Sequence, residues 1–365
     1  MLPRQIFAGW RGLGVFWLIV VALLLAGGIA LQLAGPPAPR APPLPAVAQA
    51  PAAAGHAPPA ASPAAPSTGA AKPAPRETGP AQAQVQAGPR PGRDTPGPIV
   101  DPEPALLEPL PGAPADLVPR IAADDRMPMQ VYAAGFDTST RRPRVGLLLA
   151  GIGLNQSDSE TAIRGLPGGV SLAVSPYAQN VAKLLAAARS GEHEYLLSLP
   201  MEPTGFPLND PGRQAMMTSL TPEQNRPRLM WALSRITGYV GVTGIEAGMR
   251  GERFASMPDE MNPVLAEVAR RGLLYVDPRP GSEALPLAWN RSVDVVIDEP
   301  ATGPDIDEKL ARLSALAREK GSALGLVGTV RPVTTQRLIA WTSGLAADGL
   351  ALAPVSALVR APAKP

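Results

Sequence analysis

Two kinds of hydrophobic pattern alternate through the second half of the chain. Short, nearly continuous apolar runs at residues 145–149, 170–175, 195–199, 239–243, 273–276, 293–297, 323–327 and 350–354 are bounded by turn residues. Runs of this kind predict strands covered on both faces rather than half-exposed ones. Between most of them lie stretches with helical spacing, at 159–165, 179–190, 221–236, 258–271, 305–320 and 334–347. Thr221-Pro222-Glu223 offers an N-cap and a first-turn proline, and Gly191, Gly272 and Gly321 stop three of the helices. Arg189, Arg270, Arg271 and Lys320 occupy last turns, where the helix dipole favours cations. Strand and helix in alternation predict an α/β domain with a parallel sheet, either rolled into a barrel or left open as a flat doubly wound sheet. The run RVGLLLAGIGLN at 144–155 reads as its first central strand, closing on a glycine-rich turn. Function is then expected at the carboxyl ends of the strands.

The first third of the chain shows neither pattern. Residues 12–35 carry no charge and exceed the roughly 20 residues that a bilayer-spanning helix needs, so they predict a membrane anchor. Arg4 and Arg11 precede this stretch, which puts residues 1–11 in the cytoplasm and the remainder across the membrane. A cleaved signal peptide is the competing reading, although the apolar stretch is long for one. Residues 36–116 are rich in proline and alanine, lack the apolar side chains that would offset ordering, and predict an extended, unstructured linker. Residues 117–143 predict a strap that packs on the domain at 144–359, and 360–365 form a tail. The location implied is an inner membrane crossed once, with the C-terminal domain in a periplasm.

Composition narrows the chemistry. No cysteine is present, which excludes disulfides, thiolate metal sites and thiol nucleophiles. A net charge of +2 without a basic cluster argues against a nucleic-acid partner. Parallel strands would gather Asn155, Ser175, Tyr177, Glu202, Glu246, Arg250, Asp277, Arg279, Asp298, Glu299, Thr329, Arg331 and Ser356 at one rim. Carboxylates and arginines facing one cleft suit hydroxylated, sugar-like ligands. Gly151 and Gly153 lack the third glycine of a dinucleotide fingerprint, with Gln156 in its place. His193 is the one histidine of the predicted domain, so a zinc site built on two or more histidines cannot be assembled.

Ser171-Leu172-Ala173-Val174-Ser175-Pro176-Tyr177-Ala178, Gly191-Glu192-His193-Glu194 and Leu199-Pro200-Met201-Glu202-Pro203 resemble the divergent polysaccharide deacetylase family of bacterial envelope proteins. Arg271-Gly272-Leu273-Leu274-Tyr275-Val276-Asp277 and Ala353-Pro354-Val355-Ser356-Ala357-Leu358 extend the likeness. The resemblance implies a distorted (β/α) barrel of about seven strands. It also implies positions for a divalent metal that this chain does not fill. The paired aspartates that end strand one in the wider superfamily are replaced by Ala150 and Gly151, while His193, Glu194, Glu202 and Asp277 are retained. Later family motifs are replaced by Gly244-Ile245-Glu246-Ala247-Gly248-Met249-Arg250 and Gly328-Thr329-Val330-Arg331-Pro332. The expectation is an envelope protein that binds or acts on peptidoglycan-like glycan without metal-dependent deacetylation and without a cofactor. Glu202, Glu246 and Asp277 are the expected catalytic groups, and Asn155, His193, Glu194, Arg250 and Arg279 the expected substrate contacts. The alternative is a scaffold whose barrel docks another envelope protein.

Overall fold

The computed structural model describes residues 17, 18, 20, 21, 92–283 and 287–362. Its chain divides into two units, Met1–Ala81 and Gln82–Pro365. In the first, Trp17, Leu18, Val20 and Val21 are helical, and the rest of the expected anchor at 12–35 lies outside the described residues. Among the described residues no helix is long and apolar enough to cross a membrane. Residues 36–91 of the expected linker also lie outside them.

Packing in the second unit begins ahead of residue 117. Ile99 and Leu106 are buried, and β1 (Leu107–Leu110) pairs antiparallel with β2 (Ala113–Pro119). The prolines of this stretch conceal a hairpin, because its few apolar anchors are spaced among residues that resemble linker. A single turn of helix, α1 (Pro128–Val131), comes next.

The body is a curved parallel sheet. Its strands are β3 (Arg144–Ile152), β4 (Ser171–Val174), β5 (Tyr195–Ser198), β6 (Gly241–Thr243), β7 (Leu274–Asp277), β8 (Asn290–Ser292), β9 (Val295–Val296), β10 (Ser322–Val327) and the short β11 (Ala351–Leu352). The order is β8-β7-β6-β5-β4-β3-β10-β9, with β11 on the start of β3. Every pairing in this sheet is parallel. β8 and β9 belong to one stretch of chain that changes neighbour midway. The Val293 amide donates to the Asp277 carbonyl and the Asp294 amide to the Leu324 carbonyl. The two outer strands of the sheet are thus the halves of one broken strand, and the sheet curls back on itself through it. The first apolar run is indeed central, flanked by β4 and β10, and eight of its nine residues are buried.

Helices cover the outside: α2 (Gln156–Gly165), α3 (Ala182–Ser190), α4 (Pro222–Leu233), the short α5 (Glu252–Ala255), α6 (Pro258–Arg270), α7 (Gly303–Lys320) and α8 (Pro332–Gly344). Thr221 and Gln224 form a reciprocal capping box at the start of α4, and α7 ends on Gly321 in the left-handed conformation, as the sequence signals require. Two cores result. Val145, Leu147 and Leu149 pack outward among the helices. Leu148, Ala150, Ala173, Leu196, Val276, Leu324 and Leu326 pack inward, continuous with Leu106, Met129, Tyr132, Val355 and Leu358. The residues before β3 and after β11 therefore plug the amino end of the sheet and leave its carboxyl end for the site.

Candidate functional site at the carboxyl ends of the strands

Strand alternation decides which side chains reach the mouth. On β4, Ala173 faces the inner core, so Ser175, two residues on, points the same way at the strand end. Its hydroxyl donates to Glu246 Oε1 at 2.6 Å, and the Tyr177 amide donates back to Ser175 Oγ at 3.2 Å. Glu246 comes just after β6 in a tight turn, closed by reciprocal backbone bonds with Met249, in which Ala247 and Gly248 take positive φ. The residue is 3 % exposed, and Oε2 has no hydrogen-bond partner among the described residues. Burial pushes the Glu246 carboxyl up to about 7, against a smaller downward pull from the Ser175 hydroxyl. The group sits at the edge between protonated and ionised near neutrality.

A groove of about 470 Å³ lies over this carboxyl group, with Tyr177, Trp231 and Gln214 among its walls. The rings of Tyr177 and Trp231 are 5.2 Å apart between centroids and tilted by 41°. Tyr177 Oη accepts from the Gln214 amide, which ties the ring to the loop between β5 and α4. Sequence reasoning missed Trp231, Gln214 and that loop. The available signal was its length, residues 199–221 without a regular element, since loops beyond roughly 12–15 residues usually carry function.

The other expected carboxylates are already engaged. Asp277 accepts from the Arg279 amide at 3.0 Å and from Nε and Nη2 of the same guanidinium at 2.9 and 2.7 Å. Glu202 accepts from the Thr218 amide and hydroxyl, both at 2.7 Å, and pairs with Arg253 at 2.9 Å. Arg250 pairs with Glu299 at 2.5 Å and with Glu252 at 3.3 Å. Asn155 is exposed and caps α2, its side chain accepting from the Asp158 amide at 3.0 Å. Asp298 holds the loop after β10 by accepting from the amides of Gly328 and Thr329, and burial raises its pKa.

His193 and Glu194 lie at the opposite end of the sheet, which takes them out of reach of a ligand at the mouth. Both are fully buried. The His193 ring nitrogens meet the carbonyls of Val170 and Ile163 at 2.8 and 3.1 Å. Glu194 accepts from the Ser171 hydroxyl, the Ala134 amide and both the amide and hydroxyl of Ser356. Burial raises its pKa, and these bonds oppose the rise. The physical reason for the placement is that both residues precede β5, whereas the mouth gathers residues at the carboxyl ends of the strands.

The donor set at the mouth does not fit a divalent metal. Among the described residues no three His, Cys, Asp or Glu side chains gather around a common point. Gly151 has φ +80°, a backbone conformation that side-chain-bearing residues rarely adopt. A ligating residue at the end of β3 would be strained there, even though a Cβ would meet Gly328 and Thr329 only at ordinary contact distance.

The sequence model of the divergent polysaccharide deacetylase family matches residues 147–359. No curated protein matches the chain. Among solved structures, an uncharacterized protein from Agrobacterium tumefaciens is 31 % identical with a TM-score of 0.62, over 67 % of this chain and 100 % of that one. A family 4 carbohydrate esterase from Streptomyces lividans, in complex with acetate, aligns at 15 % identity with a TM-score of 0.40, over 61 % of this chain and 100 % of that one.

Proposed function

Since the chain belongs to the divergent polysaccharide deacetylase family, a role with carbohydrate is indicated, and we propose that it recognises envelope glycan at the mouth of the sheet without metal-dependent deacetylation. One observation carries the reading. A nearly buried carboxyl group, Glu246, keeps one oxygen unpartnered among the described residues, beside a groove walled by Tyr177 and Trp231. Aromatic faces stack on the apolar faces of sugar rings, and a protonated carboxyl group donates to a hydroxyl or an acetamido carbonyl. Glu202 and Asp277, held by Arg253 and Arg279, shape the rim in this reading, while Glu246 exchanges the proton. The same reading tethers the domain outside an inner membrane through residues 12–35, so that the full chain sediments with membranes on fractionation.

The test is calorimetric titration of the full chain with peptidoglycan fragments and chitin oligomers. Binding is expected to weaken as pH rises through about 7, to drop on Trp231→Ala, and to persist without its pH dependence in Glu246→Gln, whose amide still donates. Absence of binding to any envelope glycan sinks the proposal. Chelator-sensitive acetate release from acetylated oligomers overturns its second half. A docking scaffold is the second reading, favoured by Leu208, 95 % exposed on the loop that leads into the groove. A protein partner lost on Leu208→Ser, with glycan binding absent, would establish it.

A further inference from the structure

A second polar pocket lies where the broken strand changes neighbour. It is lined by Arg291, Ser292 and Ser282 beside β8, by Lys320 and Ser322 at the start of β10, and by Arg360. Lys320 and Ser322 come from the start of β10, and the pocket shares no lining residue with the groove over Glu246. The backbones of Arg360 and Asn290 bond reciprocally at 2.8 and 3.0 Å, which brings the last of these residues to the others.

Two cations meet one carboxylate here, and a third, Arg360, lines the same pocket. Arg291 is 8 % exposed and donates through Nη2 to Asp294 Oδ2 at 2.5 Å. Lys320 Nζ stands 3.9 Å from Asp294 Oδ1. Asp294 also accepts from the Leu324 amide, so its capacity is largely committed. The formal balance of these side chains is two positive charges. Arg291 Nε, shielded from solvent, has no acceptor among the described residues. Burial and the neighbouring Arg360 both act to lower the Arg291 pKa. A buried guanidinium N–H without an acceptor among the described residues thus stands beside two further cations and the hydroxyls of Ser292 and Ser322, while Ser282 Oγ is engaged with the Arg279 carbonyl and Ser292 Oγ.

We propose that this pocket binds a phosphoryl group. A phosphoryl group carries close to two negative charges near pH 7 and three strong acceptor oxygens, which match the charge balance and the surplus of donors. Its source is either free phosphate or a phosphate ester on an envelope polymer.

Calorimetric titration of the detergent-solubilised full chain with inorganic phosphate and with glycerol phosphate, at constant ionic strength, tests this. Saturable binding is expected with both or with the ester alone, and Arg360→Glu and Lys320→Glu each weaken it by about tenfold or more. Both positions are exposed, so the variants are expected to keep the wild-type melting curve. Tighter binding of the ester identifies a polymer-borne group, and equal binding identifies the free ion. The proposal is overturned if neither titrates to saturation, if acetate competes as well as phosphate, or if both charge reversals leave the isotherm unchanged.

Discussion

Glu246 holds its proton because of its surroundings rather than because of its own chemistry. Little water reaches the carboxyl group, and among the described residues one oxygen meets only the Ser175 hydroxyl and no cation pairs with it, so the charged form is penalised and the pKa rises to about 7. A folded-state value above the unfolded one means that the native protein binds the extra proton between the two. This contribution to stability is therefore full below the ordinary glutamate range and is lost as pH climbs through about 7. Denaturant titrations should lose on the order of a few kcal/mol across that window from this group, and Glu246→Gln should flatten the fall. An unchanged pH profile in the variant would show that the carboxyl group is not the source. That Glu246 lies at the rim was legible, since it comes after a predicted strand. Its single hydrogen bond was not, because Ser175 is 71 positions away in the chain and only the pairing of β4, β5 and β6 brings them together.

The elements show how loops are held at the mouth. Asp298 leaves β9 and accepts from two amides of the loop after β10, at 2.8 and 3.1 Å, and so fixes that loop at Gly328, where a Cβ would come within 3.3 Å of Gly248 Cα. Asp298→Ala leaves both amides without that acceptor. It is expected to destabilise the protein by about 1–3 kcal/mol and to raise hydrogen exchange at residues 328–331, read by mass spectrometry. Exchange confined to wild-type levels would mean that the loop is held otherwise. Here the periodicity of the chain was informative about existence and type. Each expected strand run contains or overlaps a strand of the large sheet, and the run at 293–297 contains β9. Periodicity could not supply β8, because Asn290-Arg291-Ser292 is polar and becomes a strand only by pairing with β7.

At the level of the whole molecule, Glu194 joins three distant parts of the chain. It ties β4 through Ser171, the segment before β3 through Ala134 and the segment after β11 through Ser356. Removing the carboxylate strands several buried donors at once, so Glu194→Ala is predicted to cost at least about 3 kcal/mol in urea unfolding, with glycan binding of the remaining folded protein unchanged. Weakened binding without loss of stability would contradict the placement. By itself the sequence determined the α/β alternation, the first central strand and the existence of the long helices, though not all of their ends, since these arise from local periodicity and capping. It also placed Glu246, Asp277 and Glu202 after strands. Which carboxylate keeps an oxygen unpartnered among the described residues, which are neutralised by arginine and that Glu194 fastens the segments plugging the amino end of the sheet were decided only in three dimensions. Burial and ion pairing depend on residues far apart in the chain, and no local pattern encodes how far a side chain is removed from water.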